Sequence, residues 1–207
     1  MISTILLGYV VYMLTAWIGI TQGYHRYFSH AQYQTNNTIE IIMLYCGLIC
    51  GVRSPLTWAG VHRMHHAYSD TERDPHCPTH LGKWRVFFSM YRVRKIPRKF
   101  IKDLLHNPRV MFFHKYRWQI YVCHLVIMTN LHFLLFCDHY ILSEWFRCLS
   151  FQITLHALIF AFSYIGYGVL NTFGHDLKGP VNKIWINLIA PFEGQHRDHH
   201  ERSHTKS

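Results

Sequence analysis

Ile2 to Ile20 is a run of nineteen residues without a single charge, long enough to cross the hydrocarbon core of a bilayer as a helix. A signal peptide is the competing reading. No basic residue precedes the run, however, and histidine-bearing sequence follows it directly, so it is read as a true span. Ile120 to Cys137 and Phe151 to Leu170 are two further apolar runs that contain histidine but no Lys, Arg, Asp or Glu. The polar stretch Asp138 to Arg147 separates them, and together they predict a transmembrane hairpin. Ile39 to Val52 is shorter, with about a dozen apolar residues between Glu40 and Arg53, below the length a spanning helix needs. It is expected to dip into the bilayer or lie at its surface. The pattern predicts an all-α, polytopic integral membrane protein of three spans plus a re-entrant or interfacial helix. Residues 1–207 are taken as a single domain.

Charge adds sidedness. Thirteen of the 21 Lys and Arg lie between Ala59 and Trp118, five follow Leu170, and none precedes Arg26. By the positive-inside rule the middle loop and the C-terminus are cytoplasmic, while the turn near Asp138 faces away. All the histidine-rich stretches then lie on one side, as a cytoplasmic cap. The basic run Met90 to Lys102 reads as a solvated or headgroup-facing loop, with a lipid bilayer and no nucleic acid as its expected partner. The six cysteines are scattered, mostly within apolar runs and without a C-x-x-C pair, and read as small buried hydrophobes.

The chain holds 18 histidines, and their order is not random. Val61 to Asp70 reads VHRMHHAYSD and Pro191 to Glu201 reads PFEGQHRDHHE. On a helix His62, His65 and His66 share a face, as do His196, His199 and His200. Two such triplets facing each other make a metal cage, and chance yields two H-x-x-H-H motifs in a chain of this composition with odds on the order of 1 in 100. His25 and His30, in GYHRYFSH, are five apart, which on a regular α-helix sets them about 140° from each other. They share a site only if the helix ends or distorts there, or if metal lies between them. Imidazole suits iron, zinc and copper, and eight imidazoles exceed what one octahedral ion accepts, so a two-metal site follows if all of them ligate.

These motifs resemble the membrane fatty-acyl desaturases of the delta-9 type, which include stearoyl-CoA and acyl-lipid desaturases. GITQGYHRYFSH resembles the first histidine box, and WAGVHRMHHAYSDTERDPH the second with its trailing S-D-T and D-P-H. NTFGH (Asn171 to His175) resembles the N-x-x-x-H element, and EGQHRDHH the third box. The resemblance implies two iron ions held by His25, His30, His62, His65, His66, His175, His196, His199 and His200, with Asn171 approaching one iron through water. It further implies O2 as co-substrate, an external electron donor such as cytochrome b5 or ferredoxin, and an endoplasmic-reticulum or bacterial inner membrane. Arg94 and Lys95, in VRKIP, resemble the V-R-K-x-P pair that approaches CoA phosphates. Gly60, by contrast, stands where CoA-using members often carry a basic residue, which leaves acyl-CoA and acyl-lipid substrates both open. Trp58, Tyr24 and Phe173 flank ligands and are candidates for lining an acyl tunnel, against a packing role for each; Trp58 is taken as substrate-binding.

The sequence departs from the family pattern in three places. The further span that usually precedes the first box is not seen before Met1. Arg197 replaces the Asn of the third box and, being a permanent cation, must point away from metal. No donor domain follows His200. His124, His132, His139 and His156 are expected to pack or hydrogen-bond between helices, His76 to support the site, and His80, His106, His114 and His204 to lie on the surface. The implied activity is insertion of a cis double bond into a saturated acyl chain. The rivals are a membrane di-iron hydroxylase of fatty acids, sterols or carotenoids, and a non-enzymatic metal-binding or transport protein.

Overall fold

The computed structural model describes residues 2–89 and 95–204. Helix α1 (Ile2–Ala16) runs without a break into a π-helical segment (Trp17–Ser29), and the two form one apolar rod of 28 residues. The rod therefore extends nine residues beyond the run read from the sequence and carries the first histidine box on its end. Helix α2 (Asn37–Ile49) begins at Asn36, whose side chain accepts the Ile39 N–H. It lies against the π segment so closely that a Cβ on Gly19 would stand 2.0 Å from the Gly47 nitrogen. Its other side exposes Ile39, Ile41, Ile42 and Tyr45, the apolar surface of a short helix seated in lipid rather than across it.

Helix α3 (Pro55–Tyr68) carries the second box. It starts from Ser54, which accepts the Thr57 N–H, with Pro55 in the first turn, where its missing N–H costs nothing. Short helices α4 (Pro78–Leu81), α5 (Lys83–Ser89), α6 (Lys102–Leu105) and α7 (Pro108–Lys115) cover the same end. Buried Glu40 of α2 ties this cover down by accepting hydrogen bonds from Arg109 at 3.0 Å and Asn107 at 2.7 Å.

The predicted hairpin is formed by α8 (Arg117–Phe136) and α9 (Leu142–Phe173). Its turn is tighter than the polar stretch implied, because Ser143 to Arg147 are already helical, with Glu144 paired to Arg147 one turn on. Only Thr129 of α8 is buried, and the side turned from α9, with Val122, Val126, Ile127, Leu134 and Leu135, is exposed and apolar, as a lipid-facing surface would be. His124 and His156 meet between the two spans at 2.8 Å, as expected for a helix-to-helix hydrogen bond.

At 1.5 Å per residue, the 32-residue α9 is about 48 Å long against a hydrocarbon core of about 30 Å. The excess lifts its last turns clear of the bilayer. From there a two-stranded hairpin (β1, His175–Asp176; β2, Gly179–Pro180) and a 3-10 turn (Ile184–Leu188) lead to α10 (His196–His204), which carries the third box. The return loop is pinned to the first rod: Tyr9 donates to the Leu188 carbonyl, Tyr12 to that of Ile189 and Thr21 to that of Pro191.

Candidate metal centre

Nine histidines converge at the end of the bundle where α3, α10, the π segment and the C-terminus of α9 meet. They form two groups. His25, His30, His62, His66 and His199 bring ring nitrogens within 4.8 Å of one another, and His65, His175, His196 and His200 do the same. The groups abut, with the His66 and His200 rings stacked at 4.2 Å. Each H-x-x-H-H triplet is divided between them, contrary to a cage built from one triplet facing another. His62 and His66 belong to one group and His65 to the other, and α10 likewise sends His199 one way and His196 and His200 the other.

The π segment resolves the five-residue spacing of the first box. The His30 N–H donates to the His25 carbonyl, an i to i+5 bond, which widens the turn and sets residues five apart nearly in line. The two rings are 5.1 Å apart, where a regular α-helix would have splayed them.

Carboxylates orient three of the rings. Nδ1–H of His25 donates to Glu193 at 2.8 Å, that of His65 to Asp74 at 2.8 Å, and that of His175 to Asp70 at 2.9 Å. Each bond fixes the tautomer and turns the Nε2 lone pair inward, an arrangement common around protein-bound metals. Asp74 also accepts the backbone N–H groups of Asp70 and His76. Burial works against its charge, but these bonds, His65 foremost, hold its carboxyl below the usual value. Asp70 sits at φ 60°, and Phe192, preceding Glu193, at φ 61°. Left-handed backbone is thus spent where the orienting carboxylates are placed. Asp70, Asp74 and Cys77 also lie close together, but both carboxylates are already engaged with histidine.

The donor set fits a metal cation. Nε2 of His199 lies 2.8 Å from Nε2 of His25 and 3.1 Å from Nε2 of His66, and a single imidazole nitrogen cannot donate one proton in two directions. Additional protons do not fill the gap. Burial first, and neighbouring imidazoles second, push the pKa values of His62, His66, His196, His199 and His200 well down, and that of His30 to about 3. Neutral lone pairs facing one another are what a cation would satisfy. Nitrogen-only ligation without thiolate separates this set from cysteine-rich structural zinc sites.

The remaining predicted site residues fall as follows. Asn171 lies outside both groups but lines a cavity beside them with His25, His62, His65 and His196. Trp58 stacks on His62 at 5.0 Å and lines the same cavity, whose apolar wall includes Val52, Val61 and Leu170. Tyr24 is buried in the packing core and Phe173 is turned outward. Lys95 is exposed, and Arg94 lies outside the described residues. Arg197 points away, its Nε–H donating to the Pro180 carbonyl. His76 is 5.7 Å from His65, and burial lowers it to about 3. His114, expected at the surface, is half-buried against Ser54. Reading the histidines alone missed Glu193, Asp70, Asp74 and Arg63, although each stands inside a quoted motif.

A lipid desaturase of Synechocystis sp., an sn-1 stearoyl-lipid 9-desaturase, is 28% identical to this chain over 203 residues, or 94% of the chain and 60% of the relative. This chain is a relative of the delta-9 membrane fatty-acyl desaturases. The sn-1 stearoyl-lipid 9-desaturase of Anabaena variabilis is 35% identical over 113 residues, 52% of the chain and 40% of the relative. A delta(9)-fatty-acid desaturase of Caenorhabditis elegans is 26% identical over 207 residues, 96% of the chain and 60% of the relative. The chain thus spans 40 to 60% of the length of these relatives. No protein-family model matches it.

Proposed function

We propose that this chain carries the catalytic centre of a fatty-acyl desaturase that inserts a cis double bond at the delta-9 position of a saturated acyl chain. The carrying observation is the convergence of nine buried or half-buried imidazoles, three of them oriented by carboxylates, in two abutting groups beside an apolar cavity at the end of a bundle of membrane-length helices. Two iron ions are the proposed occupants, with His25, His30, His62, His66 and His199 holding one and His65, His175, His196 and His200 the other. Asn171 stands beside them as the partner of a bound water. When bound, the irons supply the O2-reducing chemistry that side-chain acids and bases lack.

The overall change balances as one –CH2–CH2– unit, O2, two electrons and two protons giving –CH=CH– and two waters. The electrons come from an external carrier such as cytochrome b5 or ferredoxin. The protein's share is to hold the rings, keep out bulk water and fix the depth of the chain. Glu193, Asp74 and Asp70 hold the ring tautomers. Trp58, Val61 and Leu170 give the cavity its apolar wall and position the methylenes beside the histidines. The density of Lys and Arg around the histidine end supports a cytoplasmic face for it, in an endoplasmic-reticulum or bacterial inner membrane. Arg94 and Lys95 are assigned to an anionic substrate head, whether acyl-CoA or acyl-lipid.

The test is expression in a host without its own delta-9 desaturase, with fatty-acid methyl esters analysed by mass spectrometry beside a His65→Ala control. A new monoenoic acid that disappears in the control is the expected result. A hydroxy acid, or an unchanged profile from inserted, iron-loaded protein, would reject the proposal.

A further inference from the structure

Cys137 and Cys148 meet at the hairpin turn, with their Sγ atoms 3.4 Å apart. Along α9 this is about 37 Å from Phe173 and the histidine end. Cys137 ends α8, its backbone already extended and its N–H still donating to the Phe133 carbonyl. Cys148 lies in the second turn of α9 and is buried. Neighbouring contacts fix the register that brings the sulfurs together: Trp145 donates its Nε1–H to Asn130 at 3.2 Å, Tyr140 lies edge-on to Phe133 at 5.4 Å, and Phe151 edge-on to His132 at 4.9 Å. Cys50 and Cys77 differ, meeting threonine hydroxyls instead.

A disulfide holds its sulfurs about 2.05 Å apart, so each of these must move only about 0.7 Å to bond. Cys137 is half-buried and stands beside exposed Asp138 and His139, where the chain leaves the spans, so an incoming reagent reaches it first. Cys148 waits behind it, in contact with the sulfur that would have reacted. With the histidine end in the cytoplasm, this turn faces a periplasm or an endoplasmic-reticulum lumen, and both compartments oxidise thiols. The fold also leaves room for a covalent staple here. Only Thr129 of α8 is buried, and α8 is held to the bundle mainly through α9.

Resting on the cytoplasmic placement of the histidine end, we propose that Cys137 and Cys148 are joined by a disulfide in the mature protein. The Cys137 thiolate attacks a small-molecule or protein disulfide and releases one thiolate; Cys148 then attacks the Cys137 sulfur of the mixed disulfide and releases the other. In all the pair loses two protons and two electrons, and the electrons reduce the attacked disulfide to two thiols. The new bond closes the turn into a covalent loop and staples the lipid-facing α8 to α9.

The test expresses the full chain in bacterial cells and blocks free thiols with N-ethylmaleimide before lysis. Trypsin cuts after Arg147, between the two cysteines, so peptide mass spectrometry without reduction is expected to find two peptides joined as one, which part on reduction. Reduction should also lower the Tm of the purified protein by about 5 °C, while protein carrying both Cys137→Ser and Cys148→Ser starts at the lower Tm and does not move. Recovery of both cysteines as maleimide adducts would overturn the disulfide. A Lys99→Cys variant probed in the same cells with a membrane-impermeant maleimide separates this failure from that of the topology. Free Cys137 and Cys148 with Lys99→Cys protected reject the disulfide alone, and the same free pair with Lys99→Cys labelled rejects the cytoplasmic placement as well. Joined peptides with Lys99→Cys labelled would uphold the disulfide and reject the placement.

Discussion

Glu193 and His25 are 168 residues apart in the chain and 2.8 Å apart in space, and the carboxylate decides which ring nitrogen faces the site. Glu193→Gln keeps an acceptor for the His25 N–H but removes the charge that strengthens ligand basicity. Metal affinity should fall about tenfold or more, read as faster iron loss to a chelator by elemental analysis; unchanged retention would show the carboxylate to be a mere spacer. The histidines also set a pH dependence. His30 and His76 are held at about 3 by burial first, whereas in the unfolded chain they titrate at their ordinary value of 6.5. Between those values only the unfolded state takes the protons. Their stabilising contribution is therefore complete above pH 6.5 and is lost as pH falls toward 3. Metal-free protein in detergent should show a falling Tm from pH 7 to pH 4, and a flat Tm over that range would contradict the assignment. Of the nine converging histidines, the two H-x-x-H-H triplets were legible from helical spacing, His25 and His30 only as a pair that needed a distorted helix, and His175 only from the family resemblance. Their carboxylate partners were not, because Glu193 and Asp70 reach across 168 and 105 residues and no local pattern encodes such a pairing.

Among the elements, the π segment is held from outside. Arg63 of α3 donates to the Phe28, Ser29 and Phe100 carbonyls and takes both oxygens of Asp103, fixing the C-terminal end of the segment next to His30. Lysine offers no planar fork, so Arg63→Lys should cost about 2 kcal/mol and loosen the first histidine group. Thermal unfolding and iron content measure the two effects together, and an unaltered Tm would show these bonds to be replaceable. Gly19 acts from the other side: a Cβ there would stand 2.0 Å from the Gly47 backbone. Gly19→Ala should destabilise by about 1–3 kcal/mol or more, seen as a lowered Tm with the helix content retained. The sequence marked a distortion between His25 and His30 as one way for them to share metal, but its form depended on Arg63 and α2, which lie outside the local window.

For the whole molecule, the long spans convert membrane anchoring into site construction. α9 overshoots the hydrocarbon core and α1 with its π extension does the same, so His25, Asn171 and His175 arrive above the bilayer on the ends of rigid rods, while the 20-residue α8 merely spans. If the histidine end is cytoplasmic, a membrane-impermeant maleimide applied to intact cells should label His139→Cys in the hairpin turn above the parent background and leave Lys99→Cys unlabelled. The reverse pattern would invert the topology. The apolar runs and the repeated H-x-x-H-H were enough to determine a helical protein with three spans of membrane length and a cluster of histidines able to hold metal, since span length and motif spacing are properties of short stretches. The partition of nine imidazoles into five and four and the carboxylates that orient three of them were decided only by tertiary structure. Each depends on how helices distant in sequence cross, and that is fixed by close approaches such as Gly19 on Gly47 rather than by any periodicity along the chain.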